Sequence, residues 1–207
     1  MLGILIMTFN LFGIKIEITF LFIAFISFVI SLNAPSNVMI TIASSMLHEM
    51  GHLTAMLILN NKPDKVRFEL TGINIIRKQG MRISTKSEIW ISLGGPLMNF
   101  IVVLFCCVLL CVYNNKSLLT LACINFILMA FNILPINKLD GGTVLYYLLT
   151  QKHDLQISSK IMKTTSIIFI SLILIWGIYI FIVSRYNISL IIIAIFLTIS
   201  LFSDNEY

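Results

Sequence analysis

Long apolar runs separated by polar stretches make up most of this 207-residue chain. A run of about 20 apolar residues crosses a bilayer as a helix. The pattern predicts membrane-spanning helices over roughly 18–32, 38–60, 88–113, 117–149, 161–184 and 187–203. The fourth span is expected to be broken near 132–140, where Pro135 interrupts the apolar pattern. The predicted fold class is an all-α polytopic membrane protein, a single domain over 1–207 with about six transmembrane helices.

A different pattern occupies the polar stretch 61–87, where apolar and polar residues alternate. Val66 and Phe68 on one side of Thr71-Gly72, and Ile73 and Ile75 on the other, keep a period of two. This period is typical of a half-buried strand. The stretch therefore predicts a small β-hairpin at the membrane surface, and the alternating residues 13–19 are a candidate third strand of the same sheet.

Composition and charge agree with a membrane protein. Hydrophobic residues make up 58% of the chain and charged residues 11%, whereas an ordinary soluble domain carries about 25% charged residues. Most of the 14 Lys and Arg residues lie in 61–87 and 136–160. The positive-inside rule then places both stretches, and both termini, in the cytoplasm. The net charge of +5 bears on topology, so that no nucleic-acid partner is expected.

The candidate chemistry lies in the second predicted span, which contains the sequence HEMGH at 48–52. Residues four apart share one face of a helix, so His48 and His52 can reach the same metal ion. Glu49 lies about 100° around the helix, where its carboxylate can accept a proton from water at an open coordination position. Ionisable groups in the middle of a membrane helix are costly and usually functional. The alternative is that the three polar side chains only hold neighbouring helices together.

A third metal ligand can be sought by elimination among three histidines and nine acidic residues. His153 lies in a polar stretch, and most acidic residues lie in loops, at span ends or at the C-terminus. Asp140 is the exception, because it follows the apolar sequence FNILPINKL. Two imidazoles, one carboxylate and one water make the open tetrahedral zinc site that hydrolysis needs, so the predicted cofactor is one Zn²⁺. Asp140-Gly141-Gly142 is also typical of a turn before a helix.

Two more segments are candidates for roles around this centre. Asn132 and Pro135 break a hydrophobic helix at membrane depth, where irregular backbone is tolerated only beside protein or a water-filled cavity. They are predicted to bind an extended substrate segment, and a simple proline kink is the alternative. Residues 94–96, Gly-Gly-Pro, predict a thin, bent helix start that a neighbouring helix can approach closely. A packing role is expected for Asn99.

With these residues in place, the chain resembles the site-2 protease family of intramembrane metalloproteases from about residue 13 to the end. The resemblance rests on HEMGH at 48–52, GGPLMN at 94–99 and NILPINKLDGG at 132–142, the last of which matches the family pattern Asn-x-x-Pro-x-x-x-x-Asp-Gly. It implies a site-2 protease core in which His48, His52 and Asp140 bind zinc. It also implies that Glu49 is the catalytic acid and base, and that Asn132 and Pro135 face the substrate.

The resemblance is nearest to the sporulation-protease branch, which releases a sigma factor from its membrane-bound precursor. It implies a multi-pass protein of a bacterial cell membrane that cleaves a membrane protein or a membrane-associated pro-protein, with an inhibitor protein as a further partner. Members of that branch commonly carry a C-terminal CBS domain, and other branches carry a PDZ domain. Neither domain is expected here.

Three other classes compete with this interpretation. A metal-binding transporter would also carry intramembrane His and Asp, but it predicts internal repeats or paired half-helices, and the sequence contains neither. A catalytically inactive relative that only holds substrate would not need Glu49, and Glu49 is present in this chain. A membrane protease with glutamate as its third zinc ligand needs a glutamate in a later span, and none occurs there.

Overall fold

The computed structural model describes residues 6–11, 13–31, 35–69, 72–77 and 83–203. The chain forms two compact units, Met1–Ala130 and Phe131–Tyr207. The single domain over 1–207 stays a prediction. Helices dominate the described residues and a small sheet accompanies them, which confirms the predicted fold class at this level. Thr71 of the predicted turn and residues 204–207 lie outside the described part.

The first unit contains a sheet and a set of helices. Its elements are β1 (Ile6–Leu11), β2 (Ile14–Thr19), α1 (Phe20–Ser31), α2 (Ser36–Ile58), β3 (Lys65–Glu69), β4 (Gly72–Ile76), α3 (Thr85–Leu110) and α4 (Lys116–Asn132), whose last two residues belong to the second unit. α2 and α3 pack closely along each other through glycines of both helices.

The sheet has the strand order β1-β2-β3-β4. β3 and β4 form the predicted antiparallel hairpin, and β2 joins β3 in parallel, with Ile16 opposite Val66. The first strand was not predicted. Met7 to Leu11 do alternate between apolar and polar residues, but they directly follow the apolar residues 4–6, so the alternation covers only five positions at the end of an apolar run.

Helix α3 differs from the prediction in one respect. It begins at Thr85, with the Ser84 hydroxyl accepting a hydrogen bond from the Ser87 backbone N–H as an N-terminal cap. Residues 94–96 therefore lie in the interior of the helix, and the predicted helix start there is wrong. Pro96 lacks an N–H and cannot bond to the carbonyl four residues earlier, so the backbone is locally loosened at this point.

The second unit consists of a loop over 133–139 and the helices α5 (Asp140–Thr150), α6 (Leu155–Ser184) and α7 (Ser189–Ser203). Its apolar core gathers Ile136 from the loop with Ile170 of α6 and Leu197 and Leu201 of α7. Burial of Ile136, which has no exposed surface, fixes the loop to α6 and α7.

Two of the described helices, α3 and α6, are long and apolar enough to cross a membrane by length and composition. α1, α4 and α7 are apolar but shorter, with 12, 17 and 15 residues. The prediction of about six spans stays a prediction.

Candidate metal centre

His48 and His52 lie one turn apart on α2, as their spacing predicts. Their Nε2 atoms are 3.2 Å apart. Two nitrogen ligands of a tetrahedral zinc ion, each about 2.0–2.1 Å from the metal, lie roughly 3.3 Å from each other. The two imidazoles therefore have the separation that one zinc ion requires.

The other nitrogen of His52 is held by the backbone of α3. Nδ1 lies 2.8 Å from the carbonyl oxygen of Ile91. A carbonyl oxygen can only accept, so Nδ1 carries the proton and donates it. The N–H of Gly95, 3.3 Å from the same nitrogen, consequently cannot donate to it. This tautomer gives Nε2 the lone pair that a metal ion needs.

His48 meets α3 two turns further along. Its Nδ1 lies 3.1 Å from Nδ2 of Asn99, whose side chain is fully buried. Among the described residues, the amide oxygen of Asn99 has no hydrogen-bond partner. A metal-binding histidine almost always donates its second ring N–H to a carboxylate or carbonyl oxygen. Asn99 thus stands where such a partner belongs, beyond the packing role that the sequence predicts.

Glycines bring α2 and α3 together. A Cβ atom on Gly51 would overlap the carbonyl oxygen of Gly94, and one on Gly94 would overlap the carbonyl oxygen of Gly51. A Cβ atom on Gly95 would overlap Nε2 of both His48 and His52. The close approach predicted for residues 94–96 is therefore present, and it leaves a small recess in front of the two imidazoles.

Glu49 points to a different side of α2. It lines a cavity of about 320 Å³ between α1, α2 and the hairpin of β3 and β4. Phe22 and Phe25 of α1 and Ile73 of β4 give this cavity apolar lining, and Glu69 lines it as well. The carboxylate of Glu49 is thus only partly buried and faces a space that a peptide side chain can occupy.

A cluster of charges holds the sheet beside this cavity. The buried carboxylate of Glu17 accepts a hydrogen bond of 2.7 Å from Arg67 and pairs with Lys15 at 3.1 Å and Lys65 at 3.8 Å. The Arg67 guanidinium, followed by the Lys15 ammonium, lowers the pKa of the Glu17 carboxyl. Arg67 also contacts Glu69 at 3.4 Å, so the same arginine holds one of the side chains that line the cavity.

Asp140 is the first residue of α5, directly after the loop over 133–139. A Cβ atom on Gly141 would overlap the carbonyl of Ile133, and one on Gly142 would overlap the carbonyl of Ile136, so the loop packs against the first turn of the helix. Ser166 of α6 accepts a hydrogen bond of 2.8 Å from the backbone N–H of Asn137. The position of Asp140 is therefore set by a loop that α5 and α6 both hold.

The remaining predicted residues lie in the same region of the chain. Asn132 is the last residue of α4, and Pro135 lies in the loop that follows. Nothing in these positions tests the prediction that they bind substrate. His153 lies in the exposed turn after α5.

Among the described residues, the candidate donor set is made up of one ring nitrogen each from His48 and His52 and a carboxylate oxygen from Asp140. Two imidazoles and a carboxylate suit zinc. The partnerless oxygen of Asn99 and the recess at Gly95 agree with this choice, because they supply a hydrogen-bond acceptor for one ring and space in front of both.

The sequence alone assigns Ile91 no role beside the histidines, and it predicts only packing roles for Gly95 and Asn99. Ile91, Gly95 and Asn99 are spaced by four and form one strip along the helix, opposite the pair 48 and 52 on α2. The spacing was visible, but it becomes informative only once α2 and α3 are known to be neighbours. Ser166 carried no signal, since serine is common in such helices.

Three comparisons bear on the identity of the chain. Residues 112–176 match the model of Peptidase family M50. A zinc metalloprotease of Methanocaldococcus jannaschii is 31% identical over 169 residues, covering 74% of this chain and 48% of that protein. The chain thus spans about half the length of that relative. The structure of a site-2 protease from the same organism superposes with a TM-score of 0.65 at 25% identity, covering 98% of this chain and 96% of the other.

The family match includes Asp140 and the loop before it, and the structural match extends over both units. These likenesses agree with the His-Glu-x-x-His sequence of α2 and with the donor set. The chain belongs to peptidase family M50, the family of the site-2 proteases.

Proposed function

We propose that this protein is a membrane-embedded zinc endopeptidase in which His48, His52 and Asp140 hold one Zn²⁺. The observation that carries the proposal is the 3.2 Å separation of the two histidine Nε2 atoms, with the tautomer of His52 set by the Ile91 carbonyl. The likeness to a zinc metalloprotease supports the same metal.

Held by His48, His52 and Asp140, a zinc ion would supply the Lewis acidity for activating a water molecule and polarising the scissile carbonyl. Glu49 acts as general base by taking a proton from the attacking water, and then as general acid by delivering it to the leaving amine. Its position at the wall of the cavity between α1, α2 and the hairpin supports this role, because a substrate in that cavity lies beside the carboxylate.

The substrate is a membrane-embedded segment of another protein. A helical peptide keeps its carbonyls in internal hydrogen bonds, so the segment must become extended before it is cut. β4 is the last strand of the sheet, and its Ile73 lines the cavity. Addition of the substrate as a further strand along β4 would bring an apolar side chain into the cavity. Asn132, at the end of α4, and Pro135, in the loop that follows, are further residues expected to contact the substrate.

The wider setting is a multi-pass protein of a bacterial cell membrane, with both termini in the cytoplasm. Cleavage there would release a membrane-tethered precursor such as a transcription factor, under the control of an inhibitor protein. The distribution of Lys and Arg supports this topology, and the resemblance of NILPINKLDGG at 132–142 to the sporulation-protease branch supports this kind of substrate.

The proposal is tested with the variant Glu49→Gln. Cells that carry the wild type or the variant are compared by mass spectrometry of peptide fragments released from membrane proteins, and zinc is measured in both purified proteins. We expect fragments that depend on the wild type and disappear in the variant, while the zinc content stays equal. A Glu49→Gln protein that releases the same fragments as the wild type would refute the role of Glu49.

A further inference from the structure

Among the described residues beside the two histidines, Asn99 has a buried side-chain atom without a hydrogen-bond partner. Its side chain has no exposed surface and sits 3.1 Å from Nδ1 of His48, and its Oδ1 has no partner among the described residues. A buried amide oxygen without a hydrogen bond costs about 1–3 kcal/mol. Such an atom at a functional site calls for a reason.

A neutral imidazole has one ring nitrogen that carries a proton and donates, and one with a lone pair that accepts. For His48 to bind the metal through Nε2, the proton must therefore lie on Nδ1. If Nδ2 of Asn99 donates to Nδ1, the ring proton lies on Nε2 and opposes metal binding. If Oδ1 faces Nδ1 instead, it accepts from Nδ1–H, and Nε2 has the lone pair. The two amide orientations differ by a half turn and have the same shape, so the chemistry of the ring decides between them.

His52 shows which arrangement the site uses. Its Nδ1–H donates to the carbonyl oxygen of Ile91. Asn99 lies two turns after Ile91 on the same strip of α3, with Gly95 between them. On α2 the order is reversed, because His48, which faces Asn99, lies one turn before His52, which faces Ile91. A carbonyl oxygen on α3 therefore faces the Nδ1 of each ring, supplied by the backbone for His52 and by the Asn99 side chain for His48.

We propose that Asn99 is a positioning residue for the metal centre: its Oδ1 accepts a hydrogen bond from Nδ1–H of His48 and so presents Nε2 of that ring to the metal. The inference rests on the proposed function, since it concerns the same site. It explains why an amide, which is costly to bury, occupies a helix face that otherwise needs only small or apolar residues.

The experiment measures zinc affinity of the full chain in detergent, by competition with a chelating indicator. Asn99→Leu keeps the volume and removes the acceptor, so zinc binding should weaken about 10–100-fold. Asn99→Asp keeps an acceptor and loses the donor, so it should bind zinc at least as tightly as the wild type. The Nδ1–H signal of His48 in zinc-loaded, nitrogen-15-labelled protein should persist in the wild type and in Asn99→Asp.

Asn125→Leu is the matched control. Asn125 is equally buried, its Oδ1 also lacks a partner among the described residues, and it bonds to Ser44 on α2 one turn before His48. The substitution Asn125→Leu removes the same kind of buried amide from the contact between α4 and α2, without touching a histidine. Zinc affinity should stay at the wild-type level in this variant even if its unfolding temperature falls.

Each outcome decides the matter. Equal zinc affinity in Asn99→Leu and the wild type would overturn the role of Asn99 while leaving the proposed metal site intact. Equal weakening in Asn99→Leu and Asn99→Asp would show that the acceptor is not what matters. If Asn99→Leu does not fold, the Asn99→Asp affinity and the His48 signal decide alone. A folded wild type that binds no zinc would overturn the proposed function and this inference together.

Discussion

Replacing Gly95 by alanine tests the geometry of the metal centre directly. The new Cβ would stand 2.5 Å from Nε2 of His48 and overlap Nε2 of His52 as well, whereas ordinary contact begins at 3.4 Å. The imidazoles, or the two helices, must therefore separate by about 0.9 Å. Metal–ligand distances tolerate only about ±0.2 Å. The displacement exceeds that tolerance several-fold for both histidines at once.

The cost to folding is smaller than the cost to the site. Overpacking by one methyl group destabilises a core by about 1–3 kcal/mol, and alanine in place of glycine inside a helix returns up to about 1 kcal/mol. We therefore expect Gly95→Ala to fold but to lose zinc affinity by at least about 100-fold, the upper end of what losing an outer hydrogen-bond partner costs.

The assay pairs zinc competition with thermal unfolding followed by circular dichroism, on purified protein in detergent. Gly177→Ala is the matched control, since Gly177 lies inside α6 and its new Cβ would meet Ile191 and Leu190 at 3.1 Å, a conflict of a few tenths of an ångström. This control should keep the wild-type zinc affinity. A Gly95→Ala protein that binds zinc as tightly as the wild type would refute the placement of the two Nε2 atoms at this recess.

Three further predictions concern other parts of the chain. Asp140→Ala should lose zinc affinity while His153→Ala, on the exposed turn after α5, keeps it; equal zinc content in the two purified proteins would exclude Asp140 as a ligand. Ser166→Ala removes the acceptor of the Asn137 N–H and should lower the free energy of unfolding by about 1–3 kcal/mol in a denaturant titration. Ser171 is an exposed serine on the same helix, and Ser171→Ala should not show this loss. The pKa of the Glu17 carboxyl is lowered in the folded protein, so the ionised carboxylate stabilises the fold above the ordinary pKa of 4.5, and this stabilisation is lost as the pH falls through the folded pKa. The difference in unfolding temperature between the wild type and Glu17→Gln should therefore shrink on acidification. A difference that stays constant with pH would contradict this.

The sequence by itself carried the chemistry of the site, because that chemistry depends on local spacing. Two histidines four residues apart share a helix face whatever surrounds the helix, and a glutamate one residue along points to another side. The hairpin of β3 and β4 followed in the same way from the alternation of Val66 and Phe68. Asp140 was predicted as the third ligand by elimination, because few acidic residues of this chain lie in an apolar setting. Its place in the site stays a prediction.

Only the tertiary structure decided what surrounds these residues. Ile91, Gly95 and Asn99 lie about 40–50 positions from the histidines that they face, and no local periodicity reports which helices are neighbours. The same holds for the parallel pairing of β2 with β3 and for the antiparallel pairing of β1 with β2. Local pattern fixes which way a side chain points on its own helix, and packing fixes what it meets. At this centre the packing is set by glycines, whose missing side chains leave no hydrophobic signal to read.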